Sequence, residues 1–131
     1  IHLMLELNRK KDALTAAKKA IHLHPEISCG YILKAKVLNS MGKYEKAIKS
    51  YNDALEQDPD NLLTWTEKGT TYLRLGKYEQ AVDSYDCAIG LDRSQFKLYN
   101  NKGIALRHLG YHSQALECYE EAVRMDPQNA K

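Results

Sequence analysis

Three glycines, Gly42, Gly76 and Gly110, lie 34 residues apart in a chain of 131 residues, and their neighbours recur at the same interval. The recurring positions are Ala47, Ala81 and Ala115; Tyr51, Tyr85 and Tyr119; Ala54, Ala88 and Ala122; and, with Arg93 in one slot, Pro25, Pro59 and Pro127. A unit that repeats at a fixed interval of this length buries its apolar face by stacking on a neighbour. The sequence therefore predicts a repeat array rather than one central core.

Each repeated stretch contains two segments with the apolar spacing of a helix. In the middle unit these segments are 62–75 and 78–91, and both place apolar residues three or four positions apart. Gly76 lies between them, where a left-handed residue ends one helix and reverses the chain. Small residues such as Ala81 and Ala88 allow the helices to approach closely. We therefore expect helix pairs in an all-α fold.

This pattern resembles the tetratricopeptide repeat, whose period and aromatic–Leu–Gly–Tyr–Ala–Pro spacing it follows. The resemblance implies an all-α, right-handed superhelical solenoid of antiparallel helix pairs, in which the first helix of each pair lines a concave groove. Asn8 takes the glycine slot of an incomplete first unit. The expected units form one continuous array: 1–27 (the end of a first helix plus a second helix), 28–61, 62–95, 96–129, and 130–131 as the start of a further element.

Charge is unevenly distributed along the chain. Residues 1–49 contain ten Lys or Arg and four Asp or Glu, whereas residues 50–131 contain nine and thirteen. Both ends of the sequence fall inside the repeat pattern, so we expect a piece of a longer protein. An array with unsealed, differently charged ends favours self-association. The alternative is that the basic residues of the first helix only solvate its outer face.

The sequence contains no pattern typical of catalysis, a cofactor or a metal ion. Cys29, Cys87 and Cys118 are widely spaced, unlike the close pairs of a zinc or redox site, and they favour a reduced, cytoplasmic protein. His22 and His24 lie two positions apart, so their rings point in different directions on a helix. We therefore expect no enzymatic activity, no cofactor and no membrane-spanning segment.

The residues beside the packing positions of the first helices should face the groove that the resemblance implies. They differ from unit to unit while the packing positions do not, which favours recognition of a peptide or partner helix. The alternative is a regulatory or substrate-selecting arm of an enzyme whose catalytic domain lies elsewhere. The predicted groove residues are Ile32, Leu33, Lys36, Thr66, Glu67, Thr70, Arg74, Lys97, Asn100, Asn101, Ile104, Arg107 and His108.

Two narrower functions fit the sequence poorly. Nucleic-acid binding requires a strongly basic surface, but the net charge is only +2 and most aromatic residues occupy packing positions. One subfamily of tetratricopeptide proteins holds the C-terminal carboxylate of heat-shock chaperones with Lys, Asn and Arg side chains. On the positions that the resemblance implies, only Lys97 matches in type, and Glu67 would repel a carboxylate.

Overall fold

The computed structural model describes residues 2–125, with side chains from residue 7 onward. Pro127, the end of the last predicted unit and residues 130–131 lie outside the described residues. The described part contains helices and no strand. The helices are α1 (His2–Leu23), α2 (Ser28–Ser40), α3 (Tyr44–Gln57), α4 (Leu62–Leu75), α5 (Tyr78–Leu91), α6 (Phe96–His108) and α7 (His112–Met125).

The helix boundaries follow the sequence repeat. Helices α2, α4 and α6 begin at Ser28, Leu62 and Phe96, the first residues of the three complete units. The two helical segments predicted at 62–75 and 78–91 are α4 and α5. The chain divides after Thr64 into two compact halves, residues 1–64 and 65–131. We call these halves the first unit and the second unit, and we call the 34-residue stretches repeats.

The incomplete repeat at residues 1–27 differs from its prediction. A helix end, a turn near Asn8 and a second helix were expected in residues 1–27, but α1 runs without interruption from His2 to Leu23. The turns between helix pairs elsewhere depend on a residue with positive φ, and no described residue other than glycine adopts one. Asn8 is followed by Arg9 and Lys10, which are good helix formers. Without glycine, the helix continues.

The three turn glycines adopt the left-handed backbone that the sequence predicts. Their φ angles are 79° at Gly42, 78° at Gly76 and 88° at Gly110. The following amide closes the turn in the same way each time, for example from Lys77 N–H to the Tyr72 carbonyl at 2.9 Å. This is the hydrogen bond of a glycine-terminated helix, and it explains why glycine occupies the turn position of each complete repeat.

In the first unit, the core lies between α1, α2 and α3. Ala35 and Leu38 of α2 are buried together with Ala47 and Tyr51 of α3, and Leu14 of α1 packs against them. The alanines are completely buried, so the two backbones approach closely at these positions. The large Tyr51 ring fills the space that remains, as small and large residues together fill a close-packed interior.

In the second unit, two tyrosines pack directly on glycine backbones. A Cβ added to Gly69 of α4 would lie 2.8 Å from a ring carbon of Tyr85, and one added to Gly103 of α6 would lie 2.8 Å from Tyr119. Tyr85 is completely buried. The glycines are therefore needed for close approach, and this packing fixes how α4 and α6 rotate about their axes.

Candidate functional site

The first unit presents three of the predicted groove residues on one side of α2. Ile32 is half-buried, whereas Leu33 and Lys36 are exposed. Leu33 exposes 42% of its surface. The opposite side of α2 carries the buried Ala35 and Leu38. We call Ile32, Leu33 and Lys36 the α2 face.

In the second unit, α4 carries Thr66, Glu67, Thr70 and Arg74 within about 100° of helix surface. We call this set the α4 face. Thr66, Glu67 and Thr70 are half-buried, and Arg74 is exposed. Gly69 lies beside this face on α4, and the Tyr85 ring of α5 packs against that glycine.

A hydrogen bond joins the α4 face to the core. Thr70 Oγ1 lies 3.1 Å from the Thr66 carbonyl and 2.9 Å from the Tyr85 hydroxyl oxygen. The threonine hydroxyl has one proton, which it donates to the carbonyl, so Tyr85 donates to Thr70. Burial raises the pKa of Tyr85 to about 12, and the charge of Glu67 contributes in the same direction. Tyr85 is therefore neutral at ordinary pH, and its hydroxyl group contacts Thr70 of the α4 face from the core side.

Helix α6 carries the largest set of predicted groove residues. Lys97, Asn100, Arg107 and His108 are exposed, and Asn101 and Ile104 are half-buried. These six residues, the α6 face, lie within about 120° of helix surface and include no acidic side chain. Two amides can donate to and accept from a peptide backbone, and the basic groups can pair with carboxylates.

The end of the α6 face is held by an aromatic contact. His108 stacks on Tyr78 at the start of α5, with ring centroids 4.5 Å apart and ring planes 6° apart. A stacked ring has few alternative rotamers, so the stack restricts the orientation of the imidazole. Sequence analysis identified His108 by its helix position, but it did not predict the stack.

The thirteen predicted groove residues all lie on α2, α4 and α6, the first helices of the three complete repeats. Their participation in binding stays a prediction. The described residues contain no group of three or more His, Cys, Asp or Glu that could hold a metal ion. Within the described helices, none has the length and apolar character that a membrane span requires.

Sequence analysis did not identify the lysines that line a cavity in the first unit, of which Lys34 is one. Lys34, Lys68 and Lys102 occupy the same position in three successive repeats, so the repeat itself marks this position. Their surroundings differ. The Lys68 Nζ lies 5.0 Å from the centre of the Trp65 ring, and burial lowers the pKa of Lys68. Lys102 pairs with Asp86 at 2.6 Å. Lys34 instead lines a cavity with other lysines.

Comparison with known families agrees with this architecture. A profile described as TPR repeat matches residues 35–76, and one described as tetratricopeptide repeat matches residues 66–130. Together they extend over most of the chain, including every turn glycine.

Two curated proteins are similar to part of the chain. A Protein STIP1 homolog of Dictyostelium discoideum is 45% identical over 58 residues, which is 44% of this chain and 10% of that protein. The Hsp70-Hsp90 organizing protein of Triticum aestivum is 38% identical over 56 residues, which is 43% of this chain and 10% of that protein. The matched segment therefore spans only about a tenth of these relatives.

Solved structures confirm the fold. A crystal structure of MamA superposes with a TM-score of 0.88, covering 96% of this chain and 74% of that one at 17% identity. The second TPR of Spaghetti (RPAP3), bound to an HSP90 peptide of sequence SRMEEVD, superposes with a TM-score of 0.71. It is 28% identical, covering 76% of this chain and 92% of that one. The predicted all-α tetratricopeptide fold is confirmed, and the chain belongs to the tetratricopeptide repeat family, whose members are protein-interaction modules.

Proposed function

We propose that this chain binds an extended, acidic peptide or partner segment along α4 and α6, with the α6 face as the main contact. The observation that carries the proposal is the composition of that face. Lys97 and Arg107 supply positive charge, Asn100 and Asn101 supply paired donors and acceptors, and Ile104 adds an apolar contact. An extended peptide exposes backbone amides and side-chain carboxylates to such a surface.

The solved relative that holds SRMEEVD supports a peptide as the ligand class. That peptide contains two glutamates and one aspartate, which suits the basic α6 face. The carboxylate-holding positions of the co-chaperone subfamily are occupied here mostly by other residues. Glu67 on the α4 face would repel a terminal carboxylate. Recognition should therefore depend on side-chain carboxylates and backbone rather than on the free C-terminus.

The experiment is an isothermal titration of the chain with the peptide SRMEEVD and with the same peptide carrying a C-terminal amide. We expect saturable binding of both, with affinities within about twofold, because only Lys97 matches the carboxylate-holding positions in type and Glu67 would repel a terminal carboxylate. Binding that requires the free carboxylate would contradict this mode. Absence of saturable binding to either peptide would overturn the proposed ligand class.

Variants locate the surface. Replacing Asn101 or Arg107 by alanine should weaken binding by about ten- to a hundredfold, since each loses a charge-assisted or paired contact worth about 1.5–3 kcal/mol. The matched controls are Asn52→Ala on α3 and Arg93→Ala before α6, which are exposed and lie outside the three faces. Equal losses in the variants and the controls would remove the α6 face as the site.

The parent protein's activity is a separate proposal. The family's members are generally non-enzymatic interaction modules, and we infer that this chain acts as a scaffold or adaptor segment in the cytoplasm. Cys29 and Cys87 are exposed free thiols, which fits a reducing compartment. The alternative, a substrate-selecting arm of an enzyme, predicts that the same faces bind the substrate. A binding partner that the parent protein converts chemically would favour that alternative.

A further inference from the structure

A cavity of about 400 Å³ lies in the first unit, on the side of α2 opposite the α2 face. Helix α1 contributes Lys18, α2 contributes Lys34, and α3 contributes Lys46 and Lys49, while Lys43 lies in the turn before α3. The remaining lining residues are Leu14, Leu38, Ser50 and Asp53. None of the α2 face residues belongs to this lining. The volume is in the range of small-molecule sites.

The five lysines have no anionic partner in the described part of the chain. None of them takes part in an ion pair or a side-chain hydrogen bond, and Asp53 lies in the same cavity without pairing to any of them. Five lysines and one aspartate leave a formal charge of +4 around one cavity. Like charges that share a site repel each other, and a bound anion would remove that repulsion.

The second unit shows that the scaffold does not require these lysines. Lys46 and Lys49 correspond, 34 residues later, to Gln80 and Asp83, which line a smaller cavity beside α4 and α5. The same fold is therefore compatible with neutral or acidic residues at these positions. At these two positions, the positive charge of the first unit is absent from the second.

The most informative difference concerns one pair of positions. In the second unit, Asp86 of α5 and Lys102 of α6 form an ion pair of 2.6 Å. The residues 68 positions earlier are Lys18 of α1 and Lys34 of α2. An attractive pair is thus replaced by two lysines that both line the cavity. The charge that neutralises Lys102 from within the protein is missing at Lys34, and a ligand can supply it.

We propose that this cavity, the cationic cavity, binds a compact anion that carries several phosphate groups. Its lining contains five lysines and no arginine. Arginine suits planar carboxylates because its guanidinium group binds them through two parallel hydrogen bonds, whereas lysine binds phosphate as a point charge. Lysines from three helices and a turn can approach a tetrahedral anion from several directions. This site is independent of the peptide surface proposed above.

Inorganic tripolyphosphate is the probe, titrated calorimetrically at low ionic strength. We expect saturable binding of one tripolyphosphate per chain that weakens as salt is added, since salt screens exposed charges. Inorganic phosphate should bind more weakly because it reaches fewer lysines. A hexaglutamate peptide that binds as tightly as tripolyphosphate would overturn the phosphate preference, and absence of saturable tripolyphosphate binding would overturn the site.

The decisive variant is Lys18→Asp, which copies the second unit. It should weaken tripolyphosphate binding by about tenfold or more, because a cation is lost and the new carboxylate can pair with Lys34. The thermal midpoint should stay equal or rise, which separates loss of the site from loss of the fold. Lys19→Asp is the matched control, with the same charge change on an exposed neighbour outside the lining.

The two outcomes are distinguishable. Weakening by Lys18→Asp with near-unchanged binding by Lys19→Asp supports a localised site. Equal weakening by both would show that the overall field of the first unit attracts anions, and it would overturn the proposal. Should Lys18→Asp unfold, Lys46→Gln serves in its place, since the second unit carries Gln80 at that position. It should weaken binding without changing the thermal midpoint, and unchanged binding would overturn the proposal.

Discussion

At the scale of single residues, the second unit depends on the contact between a glycine and a tyrosine. Gly69 admits the Tyr85 ring, and Tyr85 reaches past the helix to the Thr70 hydroxyl on the α4 face. The small position and the large position could be read from the sequence repeat. The hydrogen bond could not, because it depends on the side-chain rotamers of Thr70 and Tyr85.

Two glycines inside helices should respond oppositely to alanine. Gly69→Ala places a Cβ 2.8 Å from the Tyr85 ring, so we expect destabilisation of about 1–3 kcal/mol. Gly90→Ala in α5 meets nothing within 4 Å, and should stabilise by about 0.5–1 kcal/mol through helix propensity. Chemical denaturation measures both. Stabilisation by Gly69→Ala would show that the ring does not pack on that glycine.

The Tyr85 hydroxyl should make the protein sensitive to alkaline pH. Its pKa is raised to about 12 in the folded chain, against about 10 in the unfolded chain, so the unfolded state loses the proton first. The contribution to stability is complete below pH 10 and is lost as the pH rises from about 10 to about 12. The loss amounts to about 2–3 kcal/mol.

The comparison is between the original protein and Tyr85→Phe, with unfolding free energies measured from pH 9 to pH 12. Other tyrosines and the lysines titrate in both proteins, so the difference between the two curves isolates Tyr85. We expect the original protein to lose stability more steeply in this interval. Parallel curves would mean that Tyr85 ionises as easily in the folded as in the unfolded state.

At the scale of the helices, the sequence predicted the elements well wherever a glycine marks the turn. The segments expected at 62–75 and 78–91 coincide with α4 and α5. The turn predicted within residues 1–27 was wrong, because Asn8 occupies the glycine position and α1 continues through it. The 34-residue periodicity alone does not show whether a turn forms at a given position. The conformation of the residue in that slot decides the outcome.

Substitutions at the turn position of the repeat should therefore change the free energy of unfolding by different amounts at Gly76 and at Asn8. Gly76→Ala forces a residue with a Cβ into φ 78°, and should destabilise by about 1–2 kcal/mol. Asn8→Gly places glycine inside a continuous helix, and should destabilise by a few tenths of a kcal/mol. Denaturant titration of each variant checks this. Stabilisation by Asn8→Gly would indicate that the chain favours a turn there.

At the scale of the whole chain, the repeat separates what the fold requires from what it leaves free. The buried alanines and tyrosines recur at 34-residue intervals, whereas the α2, α4 and α6 faces and the cationic cavity differ between units. Helix phase together with the family resemblance was enough to nominate the residues of the three faces, and their role in binding stays a prediction. Sequence analysis missed the cavity because Lys18, Lys34 and Lys49 are far apart in sequence and approach one another only when α1, α2 and α3 pack. Self-association of the chain stays a prediction.

The central claim is that α4 and α6 carry the peptide-binding surface, and chemical-shift mapping tests it most directly. The measurement follows the backbone and side-chain amide resonances of the ¹⁵N-labelled chain during titration with SRMEEVD. We expect the largest shifts at Asn100, Asn101 and Arg107 on α6, with smaller shifts at Thr66 and Thr70 on α4. Shifts confined to α5 and α7, or to the cationic cavity, would contradict the account.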